Sequence, residues 1–334
     1  MAPIPPTSYA DAGFKEISIS NVPESSPTVT KVVTVAFNRP KKFNAVTGSM
    51  IEELVAAFEL LGKDNRVRAI VLTGKGRMFC AGADLEIGFA GLNPYKDSEE
   101  ATNKYRDGGG RIALAIANCP KPTIVAANGS AAGVGFTVML AATIRVAWEG
   151  AKVAAPFTRR GICLESCSSF FLPRLIGLSK AMHISTTGST YPVTDPLVRD
   201  LFSVLLPTPE ETVAYATKLA LDIAENTSEV STKLNRDLLL YCQDSPLQAH
   251  LVESRAFLAL AGAQDNMEGS VRGWYWAVYP QPGTEHLVEP VLWLIIERKR
   301  GAGYGRRAGG TRIRVDLEVD QIVQKIRRLE KGRM

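Results

Sequence analysis

The chain has 334 residues, 46% of them hydrophobic and 22% charged, with a formal net charge of +5. That length and balance can bury a substantial core, as one large domain or two modest ones, and they exclude a disordered or fibrous chain. The positive excess gathers late, in Glu297-Arg-Lys-Arg300, Arg306-Arg307, Arg312, Arg314 and Lys325-Ile-Arg-Arg328. Only Tyr304 falls among these basic residues, so the excess reads as a solvated tail and argues against a nucleic-acid partner. The five cysteines (Cys80, Cys119, Cys163, Cys167 and Cys242) are odd in number and irregular in spacing, which reads as reduced thiols. Cys163 and Cys167 lie four apart with no companion His or Cys pair, and no metal site is expected.

In chain order, residues 1–14 carry Pro and Ser and read as a flexible N-terminus. Val32-Val-Thr-Val-Ala-Phe37 is β-branched and stops at Asn38-Arg-Pro40, which predicts a strand and a turn. From Thr47, a good N-cap, Met50, Ile51, Leu54, Val55, Phe58 and Leu61 recur at helical spacing. Ala69 to Thr73 predicts a short buried strand closed by Gly74-Lys-Gly76. Residues 86–107 are polar and read as irregular; Arg111 to Asn118 predicts a helix stopped before Pro120. Pro122 to Ala127 reads as a strand, Gly135 to about Ala142 as a small-residue helix, and Ile144 to Ala147 as a strand. Strand alternating with helix predicts an α/β fold with parallel pairing over residues 15–206. Three amphipathic patterns follow, Glu210 to Glu225, Ser231 to Cys242 and Ala249 to Leu260, which make a helical C-terminal subdomain of residues 207–269. Residues 270–334 form an atypical basic extension, with Trp, Pro and Gly breaking any helix before an amphipathic Leu317 to Leu329.

Three strings carry chemistry. Met78-Phe-Cys-Ala-Gly-Ala-Asp-Leu85 and Asn128-Gly-Ser-Ala-Ala-Gly-Val-Gly135 place small residues where backbone bends sharply, and each can leave an N–H free to donate. Two such donors aimed at one point make an oxyanion hole. In Arg160-Gly-Ile-Cys-Leu-Glu-Ser-Cys-Ser-Ser169, Glu165 stands among apolar and small residues and is a candidate base. Together they suggest proton abstraction next to a thioester. His183, His250 and His286 share no motif, so a Ser-His-Asp triad is not expected. Arg111 and Lys121 read as solvated, and Thr137 as helix packing.

In this order and spacing the strings resemble the enoyl-CoA hydratase/isomerase (crotonase) superfamily, from about Val32 to Gly269. The resemblance implies a crotonase-type ββα spiral with a helical C-terminal part. Asn38-Arg-Pro-Lys-Lys-Phe-Asn-Ala45 resembles the early loop that meets coenzyme A, which implies substrate contacts at Lys42 and Ala45. The string Met78 to Leu85 implies that Ala83 N–H is one oxyanion donor, with Ala81, Gly82, Asp84 and Leu85 lining the substrate. The string Asn128 to Gly135 implies Val134 N–H as the other donor, beside Gly133, and the string Arg160 to Ser169 implies Glu165 as catalytic glutamate. Taken by its residue type alone, Asp84 reads as a turn or cap residue.

Hydratases of this superfamily carry a second glutamate where this chain has Thr137. Without it, water addition lacks a positioned group worth about 10²–10⁴-fold. Leu-Glu-Ser-Cys-Ser-Ser is closer in pattern to the peroxisomal Δ3,Δ2-enoyl-CoA isomerases. The resemblance thus implies movement of a double bond from position 3 to position 2 of an enoyl-CoA, with Glu165 shuttling the proton. Two alternatives stay open: a hydratase or mixed isomerase/hydratase in a secondary-metabolite pathway, and a non-catalytic acyl-CoA-binding scaffold. No cofactor is expected beyond coenzyme A within the substrate. The partner expected is an acyl-CoA thioester, with no membrane and a homotrimer or hexamer. Met1-Ala-Pro-Ile-Pro-Pro6 lacks a basic-apolar leader, and Gly332-Arg333-Met334 loosely follows a peroxisomal address, so a peroxisomal or otherwise cytoplasmic location is expected.

Overall fold

The computed structural model describes residues 5–9, 12–86, 98–241, 244–263, 265–267 and 269. Contacts divide the chain at residue 261 into units of 1–261 and 262–334; the elements below all belong to the first. The predicted extension, residues 270–334, lies outside the described residues.

The chain folds as a repeat. β1 (Ile17–Asn21) and β2 (Val32–Phe37) lead into α1 (Gly48–Lys63). β3 (Ala69–Gly74) and β4 (Met78–Cys80) are followed by α2 (Glu99–Lys104) and α3 (Gly108–Asn118). β5 (Thr123–Ala127) and β6 (Ser130–Ala132) are followed by α4 (Val134–Thr137). β7 (Ile144–Trp148) and β8 (Lys152–Ala154) are followed by α5 (Ser168–Ile176) and α6 (Leu178–Thr187). β9 (Thr190–Pro192), β10 (Val204–Leu206), α7 (Pro209–Asn226), α8 (Glu229–Leu240) and α9 (Pro246–Leu260) close the described chain. β1 and β2 open a six-stranded sheet, ordered β1-β2-β3-β5-β7-β10; in the turns from β3 to β8 the first strand joins that sheet and the second enters a four-stranded sheet, ordered β4-β6-β8-β9. This is the expected ββα spiral. β4 and β6 pair in parallel, as do β6 and β8, so successive turns leave the second sheet in the same direction.

The central strands are apolar runs because both of their faces are covered. Ile70, Leu72 and Val125 point to a core with Met50, Leu54, Phe58 and Ile112 of α1 and α3. The alternate residues Ala69, Val71, Ile124 and Ala126 face α7. There Ala216, Ala220 and Ala224, four apart, form a small-residue stripe that lets the helix lie close to the sheet. Each leucine-sized side chain buried in these layers contributes about 1.5–3 kcal/mol.

The Thr47 hydroxyl accepts from the Met50 N–H at 3.1 Å, the cap expected of it. Elsewhere the structure differs from expectation. Six residues inside the stretch read as irregular form α2, capped by Ser98. α3 begins three residues before Arg111, on Gly108, Gly109 and Gly110, because Asp107 caps it. Tyr9, in the segment read as loose, is buried, and its hydroxyl donates to Asp64 at 3.1 Å. Lys121, read as solvated, is 2% exposed and pairs with Glu229 on α8, whose other ion partner is Arg68. Its aliphatic stem gains burial while the charge keeps a carboxylate. α9 buries no residue; Leu247, Leu251, Phe257 and Leu258 are exposed along it. No described helix is long and apolar enough to cross a membrane.

Candidate active site

The parallel pairing of β4 with β6 brings the two glycine strings side by side. Gly82 leaves β4 at φ +104° and Gly133 leaves β6 at φ +52°, both in the region that disfavours side chains. A Cβ on Gly82 would lie 2.9 Å from the Ala132 carbonyl oxygen and 3.8 Å from the Gly133 Cα, so the two turns touch.

These turns present one N–H each. The Ala83–Val46 bridge is made by Val46, which donates to the Gly82 carbonyl at 2.8 Å and accepts from the Asp84 N–H at 2.9 Å. Ala83 therefore keeps its own N–H outside that ladder. Val134 is the first residue of α4, and a first-turn N–H has no intrahelical partner. Gly133 N–H, by contrast, donates to the Ala154 carbonyl at 3.0 Å.

The turn built on β7 and β8 delivers Glu165, half-buried just before α5. Thr137 Oγ donates to Glu165 Oε1 at 2.6 Å, and Ser166 Oγ donates to Oε2 at 2.5 Å. Ser168 Oγ and N–H both donate to the Glu165 carbonyl, at 2.6 and 3.0 Å. Burial pushes the Glu165 carboxyl above the ordinary glutamate range; the Ser166 and Thr137 hydroxyls pull against this and the Asp107 carboxylate adds to it. Such a carboxylate is shifted toward the proton affinity that general-base work near neutral pH needs.

The remaining expected residues frame this centre. Ala81 N–H donates to the Phe43 carbonyl at 3.0 Å, tying the early loop to the first glycine turn. Arg39 Nη1 donates to the Ala45 carbonyl at 2.5 Å and to Asp84 Oδ2 at 2.9 Å. Arg39 holds the Asp84 carboxyl below the usual range, so this side chain belongs to the loop's own framework, as its residue type suggested. Lys42 is exposed and pairs with Glu86 at 2.7 Å, and Leu85 is 59% exposed.

Sequence reasoning missed three kinds of residue. Asn44 is fully buried; its amide donates to the carbonyls of Lys75, Met78 and Phe79, and its oxygen accepts from the Arg39 N–H. Thr137 does pack in the helix, being 1% exposed, but its hydroxyl also reaches the candidate base. Asp107 and Gly109 border the base from α3. A Cβ on Gly109 would sit 1.8 Å from Glu165 Oε2 and 2.2 Å from Ser166 Oγ. The available signal was Gly108-Gly-Gly110 opening a helix, at a cost of about 1 kcal/mol per glycine relative to alanine. Glycines placed there against propensity mark a close approach.

A family model described as enoyl-CoA hydratase/isomerase matches residues 28–274. Over 249 residues the chain is 41% identical to an enoyl-CoA hydratase of Alternaria alternata, covering 75% of this chain and 82% of that one. Among solved structures, an enoyl-CoA hydratase from Bacillus anthracis superposes with a TM-score of 0.67 at 25% identity, over 76% of this chain and 94% of that one. An enoyl-CoA hydratase from Mycobacterium smegmatis gives 0.64 at 25% identity, over 72% and 91%.

Proposed function

The chain belongs to the enoyl-CoA hydratase/isomerase family of acyl-CoA-metabolising enzymes, and from that premise we propose that it moves the double bond of a 3-enoyl-CoA to position 2. The observation that carries this reading is the pair at the base. Where a second acid would stand for hydration, the chain has Thr137, whose hydroxyl is spent on Glu165.

The chemistry follows from the two halves of the site. The Ala83 and Val134 N–H groups hold the thioester oxygen, and ionised Glu165 takes a proton from C2. The C–H electrons move into the C2–C1 bond and the carbonyl pair onto the held oxygen, where two donors stabilise the dienolate. Glu165 then returns its proton to C4, the electrons re-form the carbonyl, and the double bond lies between C2 and C3. One carboxylate suffices, because the proton leaves and returns through the same group. Water addition needs a further group to activate water or deliver a proton. Asp107 Oδ1 accepts from the N–H groups of Gly110 and Ser166, and this scheme assigns Asp107 no proton transfer.

One observation favours a second reading: the Alternaria alternata relative is named a hydratase. Separate incubations with 3-enoyl-CoA and 2-enoyl-CoA distinguish the two. The isomerase reading expects 2-enoyl-CoA from the first and slow or no 3-hydroxyacyl-CoA from the second. Fast hydration of 2-enoyl-CoA with no turnover of the 3-enoyl substrate would overturn it.

A further inference from the structure

Asp107 takes no proton in the scheme above, yet it is the charged side chain set against the base. We propose that Asp107 is the positioning residue of Glu165, anchoring the turn that presents the carboxylate while placing a like charge beside it. The inference rests on the reading of Glu165 as the base.

The anchor is geometric. Asp107 Oδ1 accepts the Gly110 N–H at 2.5 Å and the Ser166 N–H at 3.3 Å, so one carboxylate oxygen joins the start of α3 to the turn after Glu165. That turn needs holding. Ser166 and Cys167 have φ of 57° and 54°, in the left-handed region that residues with a Cβ disfavour. Ser166, fully buried, also donates its hydroxyl to Glu165, so its backbone and its side chain connect Asp107 and the base in series. Gly109 lies in the first turn of the helix that Asp107 caps and leaves no room for a side chain beside Glu165 Oε2.

The charge works in the same place. Among the described residues, the titratable groups acting on Glu165 and its turn are Asp107 from the start of α3 and the Cys167 thiol. That thiol is itself raised by burial and by both carboxylates. Thr137 from α4 and Ser166 contribute neutral hydroxyls. Two carboxylates sharing a partly desolvated site resist joint ionisation, so a proton is held more tightly on one of them. The group that gains proton affinity here is Glu165.

Asparagine and serine separate charge from anchor, because both cap helices and accept N–H bonds without a charge. The test is a carboxyl ¹³C NMR titration of the full chain labelled at glutamate, with the Glu165 signal identified by its absence in Glu165→Gln. In the wild type Glu165 should titrate above the ordinary glutamate range. In Asp107→Asn, and in the same direction in Asp107→Ser, its midpoint should fall by about one pH unit. The lower limb of kcat/KM against pH for 3-enoyl-CoA should move with it. An unchanged NMR midpoint in both variants overturns the proposal whatever the activity. A midpoint that moves in a protein with no 3-enoyl-CoA turnover leaves the positioning role standing and removes the isomerase reading.

Discussion

Gly82 and Gly133 bring two backbone turns together by what they lack, whereas Glu165 is held by what other segments supply. On the first side the strings are local, the strands that carry them pair directly, and the donors belong to the main chain. On the second side a carboxylate is gripped by Thr137, 28 residues earlier, and its turn by Asp107, 59 residues before Ser166. The glycine-turn side is thus specified by conformation and the Glu165 side by tertiary contact. The two should fail differently when altered.

Paired alanine substitutions make the largest break. Gly109→Ala puts a methyl group where Glu165 Oε2 now lies, so the base must move. The expected loss in kcat is about 10²–10⁴-fold with acyl-CoA binding kept, because the N–H donors are untouched. Gly82→Ala forces a Cβ onto a φ of +104° against the Ala132 carbonyl. Losing one oxyanion donor costs about 10²–10³-fold in kcat, and here the melting temperature should fall as well, since the same turn joins the two strings. Steady-state kinetics and thermal melts on both proteins check the contrast. If Gly109→Ala kept wild-type kcat, the description of the base side would be wrong.

The same contrast explains what the sequence could convey. The glycine strings, the Thr47 cap and the buried runs at 32–37, 69–74 and 123–127 are legible because each depends on neighbours within a few residues. Glu165 stands out as a carboxylate among apolar residues, and a resemblance to a known superfamily places it near the thioester. Its grip is another matter. Nothing within a helical turn of Thr137 distinguishes a packing threonine from one whose hydroxyl meets a carboxylate. Lys121 looks like any lysine beside a proline until α8 returns Glu229 to it. The short strands β4, β6 and β8 escape pattern reading because three residues show no period, and their pairing comes from the spiral. Only the glycine triplet at 108–110 carried a readable trace of the tertiary contact.

A smaller effect sharpens the comparison. Thr137→Val keeps the buried shape and removes the hydroxyl that stabilises ionised Glu165. The Thr137 bond lowers the Glu165 pKa against the rise caused by burial, so its loss should push that pKa further up. Activity needs the ionised form. The acid limb of kcat/KM should therefore shift to higher pH, with about a tenfold loss at pH below the new midpoint and recovery on the alkaline side. A loss that is uniform across pH would point instead to disturbed packing at a residue that is 1% exposed.

The most direct measurement is the rate of Glu165→Gln on 3-enoyl-CoA, alongside its affinity for acyl-CoA. The amide keeps the size of the side chain and can still accept from Thr137, but it cannot take a proton. The account predicts a fall in kcat of at least about 10²–10⁴-fold with acyl-CoA binding nearly unchanged. Retention of more than a few per cent of the wild-type rate would contradict it, and would require another base at this site.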